Sequence, residues 1–244
     1  MDGEALLNGQ ESRHALKVLR IQKGDAVELF DGGGRVYAGI FSAVKDGRVV
    51  IGEIKVAGAP VRELGALASK PFEITLAVSV IKPNAMDMLI QKSCELGVDK
   101  IAPILTERSV IRLPVDRWAA KTRRWRKIAL ESCKQCRRSQ IPEILPVGDF
   151  DSFLHRGVEY GKILIPTLAV KGDILYQVLG RAGHQKILVF IGPEGDFTPG
   201  EVERAIVKGA KPVCLGPEIL RSETAAIYVL SVLNFFYREA VPVA

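Results

Sequence analysis

The chain is poor in cysteine and has no hydrophobic run long enough to cross a membrane. It has 4 cysteines in 244 residues and no secretory leader at its start, so we do not expect a disulfide scaffold. The apolar stretch 224–237 is shorter than the roughly 20 residues of a membrane span, and we expect it to form a buried helix. These features favour a cytoplasmic globular protein of one large domain or two smaller ones.

The common phosphate-binding motifs are also missing. The sequence contains neither Gly-x-x-x-x-Gly-Lys-Ser/Thr nor Gly-x-Gly-x-x-Gly, and the triplet Gly32-Gly33-Gly34 lies in a predicted hairpin turn. This argues against an enzyme that uses a nucleoside triphosphate or a dinucleotide. No internal repeat is present.

Positive charge is concentrated in one segment. The net charge is +6, and residues 117–138 contain nine basic residues and one acid, Glu131, so the rest of the chain is slightly acidic. Such a concentrated field suits a polyanion such as RNA, although a solvated helix face is the alternative. The nine are Arg117, Lys121, Arg123, Arg124, Arg126, Lys127, Lys134, Arg137 and Arg138.

The pattern of residues changes along the chain. Short alternating strands at 26–30, 36–41 and 49–54, separated by Asp-Gly turns at 31–32 and 46–47, predict a small antiparallel sheet or barrel. Residues 57–68 resemble a domain boundary. Strands then alternate with helices, which predicts a mainly parallel sheet covered on both faces. The predicted strands are 72–81, 101–105, 163–169, 187–191 and 212–215, and the predicted helices are 85–97, 116–138, 173–182, 199–208 and 222–239.

Three of these strands end in glycine, proline and apolar residues. The strand ends lead into 166–168, 192–195 and 216–220. Ligands of open α/β sheets bind beyond the carboxyl ends of the strands, and glycine lets a backbone approach a ligand closely. A pocket of this kind offers mainly backbone hydrogen bonds, which suits an adenine ring and a neutral ribose better than a triphosphate.

Two long motifs carry a resemblance to a known family. They are Ile-Gly-Pro-Glu-Gly-Asp-Phe-Thr-Pro-Gly-Glu at 191–201 and Leu-Gly-Pro-Glu-Ile-Leu-Arg-Ser-Glu-Thr-Ala at 215–225. Four shorter segments support them in the expected order, at 14–20, 91–98, 106–109 and 125–144. With these motifs the chain resembles, nearly end to end, the small-subunit (16S) ribosomal RNA uridine N3-methyltransferases of the SPOUT class, the RsmE family.

The resemblance implies a two-domain α/β protein. Residues 1–70 would form a PUA-like β-barrel RNA-binding domain, and residues 71–244 a SPOUT methyltransferase domain with a deep trefoil knot. The expected cofactor is S-adenosylmethionine, and the expected substrate is N3 of a uridine in 16S ribosomal RNA, within the small ribosomal subunit. A homodimer is implied, with no metal and no membrane partner.

The resemblance also assigns site residues to the three strand ends. The cofactor-binding residues would be Thr167, Leu168, Ile191, Gly192, Glu194, Gly195, Leu215, Gly216, Ile219, Leu220, Arg221 and Thr224. Transfer to N3 requires removal of its proton, so a base or a cation that stabilises the developing anion would help. Arg138 and Arg221 are candidates for the cation, and Glu194 and Glu223 for the base or for orienting an arginine.

The basic segment contains a family pattern at Glu131, Gln135, Arg138 and Pro142. Two positions in this segment depart from the family, because Arg137 replaces a small residue and Gln140 an arginine, and in the motif at 191–201 Asp196 stands where a glycine is more typical. We expect no role for Gln140. The candidate RNA-binding residues are His14, Arg20, Arg108, Arg123, Arg124, Lys127, Arg137 and Arg138. Charge reversal at Arg124 and Arg138 would be a first test of RNA binding.

Several features have simpler explanations. Cys133 and Cys136 form a Cys-x-x-Cys pair inside a predicted helix, without a second pair at metal-ligand spacing, so small packed residues are favoured over a redox or metal site. His14 could be structural, and the apolar helix 224–237 could be core, a dimer seam or both. The rival functions are a non-catalytic RNA-binding assembly factor, a different nucleotide-using enzyme, and a SPOUT methyltransferase acting on another RNA such as transfer RNA.

Overall fold

The computed structural model describes residues 3–57, 72–180 and 185–239. Within these ranges the chain forms two compact units. The first contains residues 3–57 and 138–140, and the second contains the remaining described residues. The predicted boundary at 57–68 and the division between residues 70 and 71 lie almost entirely outside the described ranges, so they stay predictions.

The first unit is built on a four-stranded antiparallel sheet in the order β1-β4-β3-β2. Its elements are β1 (Gly3–Leu6), α1 (Gly9–Arg13), a π-helical turn (His14–Leu19), β2 (Ala26–Phe30), β3 (Val36–Lys45) and β4 (Arg48–Ala57). Asp46 and Gly47 both have positive φ, as the predicted two-residue hairpin turn requires. Ala15 of the π-helical turn packs on Phe41 and Ile51 of the sheet. The helical segment 9–19 was not predicted.

Residues 138–140 add to this unit beside the glycine triplet. Ser139 Oγ donates a hydrogen bond to the Gly34 carbonyl at 3.1 Å, and Gln140 forms isolated bridges with Gly32 and Gly33. Gln140, for which no role was expected, therefore has a structural one.

The second unit contains a parallel sheet in the order β10-β12-β9-β11-β5-β6-β7, with β8 paired to β6. Its strands are β5 (Phe72–Ser79), β6 (Lys100–Leu105), β7 (Glu143–Ile144), β8 (Gly148–Asp149), β9 (Lys162–Pro166), β10 (Asp173–Ile174), β11 (Gln185–Ile191) and β12 (Lys211–Cys214). The central strands are buried on both faces, which explains why they are nearly continuous apolar runs.

Helices cover both faces of this sheet. They are α2 (Pro83–Glu95), α3 (Val115–Cys136), α4 (Phe150–His155), α5 (Leu175–Leu179), α6 (Pro199–Val207) and α7 (Ser222–Asn234), and a π-helical turn (Phe235–Glu239) follows α7. Alternate residues of β11 separate two cores. Val189 packs in the core that includes α2, α3 and α7, whereas Phe190 packs in the core that includes α4 and α6. None of the described helices is long and apolar enough to cross a bilayer.

The mixed α/β prediction with a parallel sheet is confirmed. Two details differ. Helix α4 was missed, although Asp149 caps it by accepting from the Ser152 amide at 2.7 Å, a recognisable start signal. In the described part of the predicted helix 173–182, residues 173–174 form a strand and the short α5 follows, while residues 181 and 182 lie outside the described ranges. The α3 prediction 116–138 extends two residues too far, because Arg137 ends the helix in a left-handed conformation.

Candidate active site

The carboxyl ends of β9, β11 and β12 enclose a cleft, which we name the strand-end cleft. These strands are neighbours in the sheet, in the order β12-β9-β11, so their exits meet at one edge. The first loop is 166–168, the second is 192–197 and the third is 215–220. The lining residues are Pro166, Thr167, Leu168, Ile191, Gly192, Pro193, Glu194, Asp196, Val213, Cys214, Leu215, Gly216, Glu218, Ile219, Leu220, Ser222 and Ala225.

Most of the residues predicted to bind a cofactor line this cleft. The lining set includes Thr167, Leu168, Ile191, Gly192, Glu194, Leu215, Gly216, Ile219 and Leu220, whereas Gly195, Arg221 and Thr224 are outside it. Of the other lining residues, Pro166, Pro193 and Glu218 belong to the strand-end loops predicted from the sequence, whereas Asp196, Val213, Cys214, Ser222 and Ala225 were not predicted. Asp196 and Cys214 directly adjoin the predicted residues Gly195 and Leu215. Ser222 and Ala225 come from the first turn of α7, which follows directly from the third loop.

Asp196 joins the first loop to the second. Its Oδ2 accepts hydrogen bonds from Thr167 Oγ1 at 2.8 Å and from the Leu168 amide at 2.7 Å. Its Oδ1 accepts from the Phe197 amide at 2.7 Å. The backbone of Asp196 has φ +59°, a conformation that Asp tolerates better than most residues. One carboxylate therefore fixes the distance between two walls of the cleft.

The segment 106–109 supports the second loop from outside the cleft. Arg108 Nη1 donates to the Gly195 carbonyl at 2.7 Å. Glu201, 1% exposed, accepts from the Glu107 amide at 2.9 Å and from the Thr198 amide at 2.9 Å, which also caps α6. Arg108, predicted to bind RNA, thus holds a loop of the candidate cofactor site.

Glycine is needed at positions 192 and 216 for different structural reasons. Gly216 has φ +137°, which residues with a side chain rarely adopt. A Cβ at Gly192 would lie 3.2 Å from the Phe197 ring, so this glycine permits close packing inside its own loop. The Gly192 carbonyl accepts from Ser222 Oγ at 2.7 Å, which fastens the second loop to α7. The expectation that both glycines serve ligand approach is therefore incomplete for Gly192.

The charge of the cleft is one-sided. Its charged lining residues are Glu194, Asp196 and Glu218, and no lysine or arginine belongs to the lining set. Such a surface does not suit a phosphate, which requires cations or a helix N-terminus with free amides. It fits a nucleoside that carries a positive charge, such as the sulfonium of S-adenosylmethionine.

The four catalytic candidates occupy different places. Glu194 is exposed and lines the cleft. Arg221 is the N-cap residue of α7 and Glu223 is in its first turn, so both flank the lining residue Ser222. Arg138 belongs to the first compact unit. The structure therefore brings Glu194, Arg221 and Glu223 to one edge of the second unit.

The basic residues of α3 divide into structural and solvent-facing groups. Arg124 forms an ion pair with Asp87 of α2, and Arg126 donates to the Ile144 carbonyl at 3.0 and 3.2 Å. Arg123 and Lys127 are exposed on the side of the helix opposite the buried Trp125. The pair Arg123 and Lys127 is therefore better placed than Arg124 to contact a polyanion.

The other candidate RNA-binding residues lie at element ends. Arg20 and Arg137 are exposed and end their helical segments with φ +54° and +57°. His14 begins the π-helical turn and is half-buried.

The Cys-x-x-Cys pair lies at the end of α3. Cys133 is buried, and Cys136 Sγ donates to the Cys133 carbonyl at 3.7 Å. No group of three or more His, Cys, Asp or Glu side chains that could hold a metal occurs among the described residues.

Comparison with known proteins agrees with this geometry. The RNA methyltransferase domain family matches residues 68–234, and the RNA methyltransferase PUA domain family matches residues 7–54. The ribosomal RNA small subunit methyltransferase E of Bacillus subtilis is 28% identical, over 94% of this chain and 89% of its own length. The protein of the same name from Synechocystis is 30% identical, over 96% and 74%.

Solved structures show the same fold. The ribosomal RNA small subunit methyltransferase E of Neisseria gonorrhoeae, bound to S-adenosylmethionine, superposes with a TM-score of 0.84 at 27% identity, covering 98% of this chain and 94% of that one. A Legionella pneumophila protein in complex with S-adenosylmethionine gives 0.83 at 31% identity, covering 96% and 92%. From the matched domains and these relatives, the chain belongs to the RNA methyltransferase family that contains the small-subunit ribosomal RNA methyltransferases E.

Proposed function

We propose that this protein is an S-adenosylmethionine-dependent methyltransferase that methylates N3 of a uridine in 16S ribosomal RNA. The observation that carries the proposal is the strand-end cleft, with its backbone-rich walls and acidic lining. It offers hydrogen bonds to an adenosine and a favourable field for a sulfonium. The relatives from Bacillus subtilis and Synechocystis are named as ribosomal RNA methyltransferases, and the Neisseria gonorrhoeae structure contains bound S-adenosylmethionine.

The chemistry requires alignment and removal of one proton. S-adenosylmethionine supplies an activated methyl group, which replaces the N3 proton of the uracil. The residues proposed to hold it are Thr167, Leu168, Ile191, Gly192, Glu194, Gly195, Leu215, Gly216, Ile219, Leu220, Arg221 and Thr224. The protein must hold N3 in line with the donor, and this positioning contributes several kcal/mol to the rate enhancement.

Glu194 is the preferred candidate for the base. Among the four catalytic candidates it is the one that lines the cleft. Because Glu194 is exposed, its carboxylate is accessible to a uracil ring that enters the cleft. Arg221 and Arg138 are proposed to stabilise negative charge that develops on the uracil oxygens. Glu223, beside Arg221 at the start of α7, would orient that guanidinium.

The RNA surface is proposed to include His14, Arg20, Arg108, Arg123, Arg124, Lys127, Arg137 and Arg138. The exposed cations of α3 would contact phosphates, which carry most of the affinity of such interfaces. The target uridine must be unstacked or single-stranded to present N3. The substrate would be the small ribosomal subunit or its RNA, and the enzyme would act in the cytoplasm.

The finer architecture is part of the same proposal. The antiparallel sheet of the first unit would belong to a PUA-like barrel spanning 1–70, and residues 71–244 would form the SPOUT domain. A deep trefoil knot is supported by the chain path around the cleft. The chain leaves β11, adds β12 on the far side of β9, and then returns in α7, whose Ser222 bonds to the loop after β11.

A homodimer is proposed through the outer face of α7 and the start of the π-helical turn that follows it. Ile227, Tyr228, Val232 and Phe235 form an apolar surface there together with Thr224 and Ser231, and Phe235 is 65% exposed. An apolar row of this kind on a helix favours burial against another chain.

The direct test is methylation of a substrate that lacks the modification. Purified protein is incubated with S-adenosylmethionine and either small subunits or 16S RNA from a strain deleted for the corresponding gene. Nucleoside mass spectrometry should then detect N3-methyluridine in that RNA. Glu194→Gln should slow the reaction roughly 100-fold, and Glu223→Gln should have a smaller effect.

The rival functions predict different results. A non-catalytic RNA-binding factor would give neither S-adenosylmethionine binding by calorimetry nor a methylated product. Methylation of transfer RNA but not of 16S RNA would show that the substrate assignment is wrong while the cofactor assignment stands. Persistence of N3-methyluridine in 16S RNA of the deletion strain would also contradict the substrate assignment.

A further inference from the structure

The second loop of the strand-end cleft contains a carboxylate where a glycine would satisfy the backbone. Asp196 has φ +59°, a conformation that glycine adopts without steric cost. The resemblance described above implies that glycine is the more typical residue at this position. An aspartate here introduces three acceptor contacts that a glycine cannot make.

Those contacts join residues that are distant in the sequence. Asp196 Oδ2 accepts from Thr167 Oγ1 and from the Leu168 amide, 29 and 28 residues away along the chain. Its Oδ1 accepts from the Phe197 amide, which fixes the orientation of the carboxylate. We name this set of contacts the Asp196 bridge. Hydrogen bonds to a charged acceptor are stronger than those between neutral groups.

The tip of the first loop is exposed on one side of the bridge and buried on the other. Leu168 is 64% exposed, so packing of its side chain does not hold it, whereas Thr167 is buried at 9%. Thr167 Oγ1 also accepts from the Ala169 amide at 3.1 Å, which extends the bridge along the loop. At Leu168 the first wall of the cleft is held by a backbone hydrogen bond to the second loop and not by packing of the side chain.

We propose that Asp196 is a positioning residue that holds the first loop against the second and thereby sets the affinity of the cleft for S-adenosylmethionine. The inference rests on the proposed function. A preformed wall avoids the entropy cost of ordering a loop when the ligand binds. Loss of the bridge leaves the chemistry intact and makes binding more costly.

The first experiment examines the protein without ligand. Asp196→Gly keeps the positive φ accessible and removes the carboxylate. Amide hydrogen exchange at Leu168 should become at least about tenfold faster, since its acceptor is lost, while exchange in α6 stays unchanged. Asp46→Gly is the matched control, because Asp46 is exposed in the β3–β4 turn with φ +50°.

The second experiment measures binding of S-adenosylmethionine by calorimetry. Asp196→Gly should weaken it roughly tenfold, equivalent to about 1.4 kcal/mol, and Asp46→Gly should not change it. Asp196→Asn should be intermediate, because one amide oxygen cannot serve both the first loop and the Phe197 amide. In turnover, Asp196→Gly should raise the KM for S-adenosylmethionine and leave kcat within about twofold, whereas general loss of structure would lower kcat.

Conservative replacement of the bridge partner gives an independent check. Thr167→Ser retains the hydroxyl that donates to Asp196 and should keep the wild-type exchange rate of the Leu168 amide in the protein without ligand, whereas Thr167→Val should accelerate that exchange. This inference alone would be overturned if the wild type binds S-adenosylmethionine and Asp196→Gly binds it with the same affinity. It would also be overturned if the Leu168 amide of Asp196→Gly exchanges at the wild-type rate. Absence of binding by the wild type would overturn the proposed function and, with it, the link between the bridge and affinity.

Discussion

The strand-end cleft and the basic helix α3 belong to the same compact unit but have opposite charge and different composition. The cleft consists of loop backbone and apolar side chains, and its charged lining residues are acidic. Helix α3 presents cations on an exposed face. The cleft suits one small molecule in one orientation, whereas the helix suits a phosphate chain in many registers.

The two regions also differ in how far their residues are held in place. The loops of the cleft are fixed by Asp196 and Ser222 of its lining and by Arg108 from outside it, through hydrogen bonds of 2.7 to 2.8 Å. On α3, Arg123 and Lys127 extend into solvent from a helix whose opposite face is buried. The comparison indicates that small changes of geometry should affect cofactor affinity, and changes of charge should affect RNA affinity.

The largest expected effect comes from bending the third loop. Gly216→Val cannot retain φ +137° without strain, so the third wall of the cleft must change its path. We expect affinity for S-adenosylmethionine to fall by about 100-fold or more, measured by calorimetry. Gly209→Val is the matched control, because Gly209 has φ +91° after α6 and does not line the cleft.

Both glycine variants should lose stability, by about 1–3 kcal/mol each, as monitored by thermal unfolding. Only Gly216→Val should lose cofactor binding. A folded Gly216→Val protein that binds S-adenosylmethionine within threefold of the wild type would break the proposed distinction between a geometry-dependent cleft and the rest of the unit.

Charge reversal on α3 should have the next largest effect. Arg123→Glu combined with Lys127→Glu should weaken RNA binding by roughly tenfold or more at low salt. The slope of log affinity against log salt should decrease by about 1.5, because two phosphate contacts are lost. Fluorescence anisotropy with a labelled RNA at several salt concentrations measures both quantities, and cofactor affinity should not change.

Arg124→Glu provides the contrast within the same helix. The sequence points to Arg124 as a test position, but its ion pair with Asp87 would become a pair of like charges. This change should lower the unfolding temperature more than the double variant does. Equal loss of RNA and cofactor affinity in the Arg123/Lys127 variant would show that the helix face supports the fold and is not a separate interface.

A smaller effect is expected on the rate at which the cysteine of the cleft is chemically modified. Cys214 is exposed and lines the cleft, whereas Cys94 and Cys133 are buried. N-ethylmaleimide should therefore modify Cys214 first. S-adenosylmethionine at ten times its Kd should slow this modification about tenfold, since only the free protein reacts. Peptide mass spectrometry follows the reaction, with half-buried Cys136 on α3 as the internal control. Modification of Cys214 that ignores the ligand would place the cofactor elsewhere.

The sequence predicts the position of the cleft better than its internal contacts. Apolar runs that end in glycine locate the exits of β11 and β12, since strand periodicity and turn chemistry are local signals. The Asp196 bridge spans nearly 30 residues, and the Arg124–Asp87 pair spans 37. Such pairings arise from strand order and helix packing, which no local pattern encodes.

Some errors of the secondary-structure prediction arise where a local helix signal competes with strand pairing or was overlooked. Residues 173–182 have helical composition, but parallel pairing of Asp173 and Ile174 with β12 takes the first two residues into the sheet. Tertiary pairing overrides propensity in such short segments. Helix α4 has a local signal in Asp149 and Ser152, which a search for capping residues would find.

The smallest effect on ligand affinity is expected from a change in the core that underlies both the cleft and α3. This core contains Trp125 of α3, Ile191 and Val213 of the cleft strands, and Tyr237 of the last turn. Burial raises the pKa of Tyr237 from 10.0 to about 12, and its hydroxyl donates to the Leu179 carbonyl at 2.8 Å. Between pH 10 and 12 the unfolded chain releases the phenolic proton while the folded protein retains it, so folding stability falls as pH rises.

Tyr237→Phe removes this titration. Its unfolding free energy should be about 1 kcal/mol lower at neutral pH, because the Leu179 carbonyl loses its donor. Between pH 10 and 12 it should decline less steeply than that of the wild type, as measured by urea unfolding at each pH. Affinities for S-adenosylmethionine and RNA should stay within about twofold, since Tyr237 contributes to neither surface. A change in only one of the two affinities would show that this core is coupled to that region alone. Unchanged affinities would support two recognition surfaces that share a core, one dependent on loop geometry and the other on charge.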